Sequence, residues 1–269
     1  MKEFRLKVAV ITGAASGIGK ALAEKCCAEG MNVVLADVEE QALAATELEL
    51  QDKGYDVLAV KTDVSSYDDT ESLLKKTLDR FGEVHLLFNN AGVAPGGAAW
   101  EVTLNDWEWI LGVNLQGIIH GIKSFVPAMI DQKTECHIIN TASIAGLVAG
   151  GSDDALYRTT KHAVVSLTEA LYSDLQIRNL NIGVSVVCPG EVRSNLWDHE
   201  RNRPPVLQNP EKALPGEKTR PNEMSPEQCA DLIFDGIRDN RFYILTHPWY
   251  NEYIVQRVNN IVEGRNPPI

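Results

Sequence analysis

Tyr157 and Lys161 stand four residues apart in Tyr157-Arg158-Thr159-Thr160-Lys161, a spacing that puts both side chains on one helical face with about 6 Å of axial rise between them. Together they could move a proton. A phenol ordinarily titrates near ~10, so it works as acid or base at neutral pH only where a neighbouring cation stabilises its phenolate, and Lys161 would supply that cation. Of the seven tyrosines only Tyr157 has a lysine at the fourth following position. One such match arises easily by chance, so the pair needs a second, independent signal.

That signal lies near the N-terminus, in Thr12-Gly13-Ala14-Ala15-Ser16-Gly17-Ile18-Gly19. The turn follows an apolar run and opens a helix beginning near Gly17, the context in which a glycine pattern binds a dinucleotide phosphate. Gly13 permits the tight turn, Gly17 and Gly19 let backbone approach a pyrophosphate, and the helix N-terminus offers unpaired N–H groups. Asp37, twenty residues after Gly17, ends the second strand, where a carboxylate accepts hydrogen bonds from an adenosine ribose and repels a 2′-phosphate. Ser16 and Val38 are not basic, so NAD is expected in preference to NADP. Asp37 could also cap the following helix.

The elements that must position these groups read clearly. Short β-branched runs at Val8-Ile11, Val33-Leu35, Val57-Val60, Leu86-Phe88, His137-Asn140, Gly183-Val187 and Phe242-Leu245 alternate with helix-length segments. This pattern predicts an α/β fold: one Rossmann-like, doubly wound domain over 1–269, with a seven-stranded parallel sheet and helices on both faces. Thr103 with Asp106, and Ser225-Pro226 with Gln228, mark two helix starts by capping chemistry. The rhythm breaks between Ser194 and Pro221, where prolines stand at 204, 205, 210, 215 and 221; residues 191–221 are expected to form a substrate loop or lid, or else a surface insertion.

Composition narrows the partners. A net charge of −12 without a basic stretch argues against nucleic acid and anionic membrane surfaces, and favours small-molecule chemistry. Five cysteines with no C-x-x-C argue against a disulfide framework or zinc site and fit a reducing, cytoplasmic setting. No apolar run approaches the ~18 residues of a membrane span, and none at the start suits a signal peptide. The six histidines lack metal-binding spacing, so no metal is expected and His120, His162 and His247 read as surface or packed residues. Trp100, Leu147, Val148 and Trp197 are candidates to line an apolar substrate pocket.

These motifs together resemble the short-chain dehydrogenase/reductase family, and the likeness runs over nearly the whole chain. Thr12-Gly13-x3-Gly17-Ile18-Gly19 is similar to its cofactor turn, Asp63-Val64 to its adenine contact, and Asn89-Asn90-Ala91-Gly92 to its fourth-strand motif. Pro189-Gly190-Glu191-Val192 resembles the turn that contacts the nicotinamide carboxamide in relatives, with Ser194 where threonine is common. The resemblance implies a catalytic tetrad of Asn114, Ser143, Tyr157 and Lys161. Tyr157 would carry the proton, Ser143 orient the substrate oxygen, Lys161 bind the nicotinamide ribose and lower the tyrosine pKa, and Asn114 hold a water linking Lys161 to solvent. Thr160 replaces a common serine, and the Ser143-to-Tyr157 interval is a residue longer than is usual in the family. Asp106 to Ile130 and Phe242 to Pro248 further resemble a branch oxidising benzylic alcohols of lignin fragments. Relatives form dimers or tetramers through the helices near Asp106–Ile130 and Ala155–Asn179, so a homodimer or homotetramer is expected. The expected activity is NAD(H)-dependent hydride transfer between nicotinamide and a secondary alcohol or ketone, with an apolar or aromatic body. A non-catalytic NAD(H) sensor or scaffold, and an NADPH-linked ketone reductase, are the alternatives.

Overall fold

The computed structural model describes residues 1–208 and 223–268; the part of the expected lid from 209 to 221 therefore lies outside the described residues. Seven strands form one sheet: β1 (Val8–Thr12), β2 (Asn32–Asp37), β3 (Val57–Lys61), β4 (Leu86–Asn89), β5 (Cys136–Thr141), β6 (Ile182–Cys188) and β7 (Tyr243–Leu245). Every pairing is parallel and the order is β3-β2-β1-β4-β5-β6-β7. The seven expected strands and the doubly wound architecture are all present.

The central strands β1, β2 and β4 read as largely apolar runs because both faces are covered. In β1, Ala9 and Ile11 face a layer containing Leu22 and Cys26 of α1 (Gly17–Ala28), Leu43 of α2 (Glu40–Asp52) and the buried Phe234 of a late helix. Val8 and Val10 point the other way, toward Leu73 of α3 (Tyr67–Phe81) and a layer containing Phe125, Met129 and Leu175. Phe125 and Met129 come from α5 (Gly117–Gln132), Leu175 from α6 (Ala155–Ile177) and Phe234 from α7 (Pro226–Arg238); α4 (Leu104–Leu111) and α8 (Asn251–Val262) are the other two helices of the later chain. Both expected capping boxes form: Thr103 and Asp106 exchange hydrogen bonds at the start of α4, as do Ser225 and Gln228 at α7.

Strand order reverses between β1 and β4. Ligands of open α/β sheets bind outside the carboxyl ends of strands at such a switch point, and it is there that the glycine turn, Asn90 and Gly92 emerge.

Candidate active site

The glycine turn is built by close approach. Gly13 adopts φ +69°, a left-handed conformation that side chains rarely take, and a Cβ on Gly19 would lie 1.9 Å from the Gly13 carbonyl oxygen. No residue larger than glycine fits there. Thr12 ties this turn to β4: its hydroxyl donates to the Phe88 carbonyl and accepts from the N–H groups of Asn90 at 2.9 Å and Ala91 at 3.1 Å, while Asn90 Nδ2 donates to the Thr12 carbonyl. Helix α1 differs from α3, α4 and α7, whose N-caps carry side-chain hydrogen bonds, because Ser16 makes none. Its first N–H groups are thus available to an anion, so these residues fit a dinucleotide pyrophosphate.

Asp37 stands at the end of β2 with both carboxylate oxygens engaged: one accepts from Ala15 N at 2.9 Å, the other from Glu39 N at 3.0 Å. Burial raises its carboxyl above the usual range against the pull of those N–H groups. The N-cap of α2 is Glu39, so the alternative capping role for Asp37 survives only as its bond to the Glu39 N–H.

The four residues expected to form the tetrad come from three elements. Ser143 follows β5, accepts from Ala145 N and donates to the Pro189 carbonyl at 3.3 Å. Tyr157 and Lys161 lie on α6, with the Lys161 Nζ 5.5 Å from the Tyr157 ring centre and donating to the Thr141 carbonyl at 2.9 Å. Asn114 lies in a π-helical turn, Gly112–Gln116, between α4 and α5, a distortion that recurs at functional sites. Its side-chain oxygen accepts from Val93 N, and its Nδ2 donates to the Val93 carbonyl and to Thr160 Oγ1. Both amide protons of Asn114 are therefore engaged by the protein itself.

One expectation reverses. Burial pushes the Tyr157 phenol up to about 12, with the Ser143 hydrogen bond pulling it down only in part, and lowers the Lys161 ammonium to about 8. Moving both groups out of water disfavours each charged form, and this burial is the largest cause of both shifts.

Two cavities meet at this point. One, a cleft of about 200 Å³, runs over the glycine turn and is lined by Gly13, Ser16, Gly17, Ile18, Asp37, Asp63, Val64, Asn90, Ala91, Gly92, Ser143, Tyr157, Lys161, Pro189, Gly190, Val192 and Ser194. Of the expected catalytic and cofactor-binding residues, Gly19 and Asn114 do not line it; Gly19 packs beneath the turn, and Asn114 is fully buried behind Val93. The second cavity, about 590 Å³, shares Ser143, Tyr157, Gly190, Val192, Leu196 and His199 with the first. Val148 and Trp197 line it as expected, whereas Trp100 is 85% exposed and Leu147 packs with the α6 side of the core. Trp100 sits in a turn outside any element, exposed among the described residues, and does not line either cavity.

Residues absent from the sequence reading also reach the cleft. Leu196, His199, Arg201 and Asn202 line it from a stretch of 3-10 turns, Asn195–Asn202. One Glu39 carboxylate oxygen accepts from Arg201 Nη2 at 2.6 Å, Arg201 Nε and Asn202 Nδ2, and buried Arg203 bonds to Asp106 at 2.7 Å while lying 4.2 Å over the Trp109 ring. These contacts join residues almost a hundred or more positions apart, which local pattern does not reveal. Among the described residues no group of three or more His, Cys, Asp or Glu could hold a metal ion, and no helix is long and apolar enough to cross a membrane.

A family model described as short chain dehydrogenase matches residues 7–204, and the chain belongs to that family. It is 40% identical to a dehydrogenase/reductase of CLA biosynthesis from Lactiplantibacillus plantarum, over all of this chain and 98% of that one. It is 31% identical to a C alpha-dehydrogenase from a Sphingobium strain, covering 99% of this chain and 89% of the relative. A short-chain dehydrogenase/reductase from Burkholderia phymatum, solved in complex with NAD, superposes with a TM-score of 0.94 at 44% identity, over 100% of this chain and 99% of the other. The protein is thus an oxidoreductase of this family.

Proposed function

We propose that this protein transfers a hydride between NAD(H) and a secondary alcohol or ketone with an apolar or aromatic body, using Tyr157 as the acid/base. The observation that carries this reading is the meeting of the two cavities at Tyr157 and Ser143. Gly13, Ser16, Gly17 and Ile18 would hold the cofactor's pyrophosphate, Asp37 its adenosine ribose, Asp63 and Val64 its adenine, and Asn90 to Gly92 with Pro189 to Ser194 the remainder. When bound, NAD supplies the hydride chemistry itself. Ser143 orients the substrate oxygen, and the proton at that oxygen passes to or from the Tyr157 hydroxyl. With its phenol held near 12, Tyr157 rests in the acid form at neutral pH and its base form grows as pH rises. Lys161, fixed by the Thr141 carbonyl, stabilises the phenolate and would bind the nicotinamide ribose. Asn114 holds Val93 and Thr160 beside the lysine and would serve the proton exit through solvent. The body of the substrate would meet Ile144, Val148, Leu196 and Trp197.

NAD is favoured over NADP because Asp37 stands fixed at the cleft and the cationic neighbour Arg201 is paired with Glu39. In the wider reading, residues 1–269 act as one catalytic domain with 191–221 as its substrate loop. A cytoplasmic setting is supported by five buried free cysteines. Association as a homodimer or homotetramer is supported by exposed apolar residues on long helices, Ile119, Tyr172, Tyr253 and Val258 among them; sedimentation giving a monomer would oppose it. The direct test follows NADH absorbance across panels of secondary alcohols and ketones with NAD and NADP in parallel. Turnover that prefers NAD supports the proposal, while NADH binding without consumption favours the sensor, and preference for NADPH the reductase.

A further inference from the structure

The turn Pro189-Gly190-Glu191 is gripped from one side by a single imidazole that no catalytic role explains. Gly190 N donates to His247 Nδ1 at 3.0 Å, Thr246 Oγ1 lies 2.7 Å from the same nitrogen, and His247 Nε2 lies 3.2 Å from the Glu191 carbonyl. Two donors converge on Nδ1, so that nitrogen carries no proton and Nε2–H is the donor to Glu191; the tautomer follows from this network. His247 is only 2% exposed, and a Cβ on Gly190 would lie 2.8 Å from its ring, so the ring packs flush on the turn. The other end of the turn is the Pro189 carbonyl, which accepts from Ile144 N at 2.8 Å and from the Ser143 hydroxyl.

We propose that His247, as the neutral Nε2–H imidazole, is a positioning residue: it holds the Gly190-Glu191 backbone at the junction of the two cavities and, through Pro189, holds Ser143. The inference rests on the redox reading of that junction. Protonating Nδ1 would set a new N–H against the Gly190 N–H, so acid would release the turn. Among the described residues the charged group facing the ring is the Glu191 carboxylate, which accepts from Tyr250 Oη at 2.8 Å, and Thr246, Trp249 and Tyr250 pack beside the ring. Burial holds the imidazole below the usual histidine range in spite of Glu191, which keeps the clamp intact at neutral pH.

The test compares His247→Ala with His247→Asn, whose side-chain oxygen retains an acceptor for Gly190 N–H. The alanine variant should lose kcat on the order of 10²-fold, as a misplaced reacting group does, with substrate KM changed far less, and the asparagine variant should recover most of it. The wild type should lose kcat in acid with a histidine-like limb that His247→Asn lacks. Two further readouts do not depend on turnover. Imidazole 15N NMR should report Nε2–H at pH 7, and hydrogen exchange in residues 187–192 should quicken about tenfold in His247→Ala. Unaltered exchange with an Nδ1–H tautomer overturns the proposal, as does an acid limb unchanged in His247→Asn. A protein that turns over no alcohol or ketone would defeat the redox reading, and the NMR and exchange results would still decide the clamp.

Discussion

Replacing Lys161 by methionine should raise the stability of the fold at neutral pH while removing its activity. Lys161 is 3% exposed and its pKa falls from 10.5 to about 8, chiefly through burial. That drop corresponds to a penalty of roughly 3 kcal/mol at pH 7. The sign is fixed by linkage: the folded pKa lies below the unfolded one, so the penalty is complete below about pH 8 and fades as pH climbs toward 10.5. Methionine keeps the length of the side chain without the charge, but abandons the bond to the Thr141 carbonyl at 2.9 Å, a loss of about 1–2 kcal/mol for a buried acceptor. The net gain is about 1–2 kcal/mol, or about 2–6 °C in Tm for a chain of this size. Calorimetry of both proteins at equal concentration should show the variant melting higher at pH 7, and no longer higher at pH 10. Turnover should fall on the order of 10²-fold or more, as for loss of acid–base assistance. A variant that melts lower at pH 7, or a gap that is the same at both pH values, would refute the reasoning.

Asp37→Ala should narrow the preference for NADH over NADPH by at least about tenfold, since a fixed carboxylate close to a phosphate is worth more than 1 kcal/mol; fluorescence titration with each cofactor measures it, and an unchanged ratio would remove Asp37 from discrimination. Alcohol oxidation should quicken between pH 7 and 9, by at most about tenfold per pH unit, because the phenolate of Tyr157 becomes more populated as pH climbs toward its pKa of about 12. Ketone reduction should show no such rise, and a falling oxidation profile would contradict the assignment.

Much of the architecture was legible because its causes are local. Val8–Thr12 and the central strands beside it are buried on both faces, so they had to be largely apolar runs, and Thr103 with Asp106 declares a helix start within four residues. The residues gathered at the cleft were traceable through motifs, although their side chains arrive from distant strands. Contacts set by tertiary closure were not: Thr12 stitching β1 to β4, Arg201 reaching Glu39, and the π turn around Asn114 depend on partners far along the chain. The direction of the Tyr157 shift was missed for the same reason. Spacing on a helix reports the neighbouring ammonium, whereas desolvation depends on how completely β5, α6 and the Pro189 turn enclose the pair.

The most direct measurement removes a single oxygen. Tyr157→Phe keeps the ring and its packing against Val93, Trp109 and Leu156 and deletes the hydroxyl of the residue that lines both cavities. NADH titration and steady-state turnover on the same preparation should give wild-type affinity, with a rate reduced on the order of 10³-fold. Turnover above a few hundredths of the wild-type rate, with cofactor affinity unchanged, would mean that another group moves the proton.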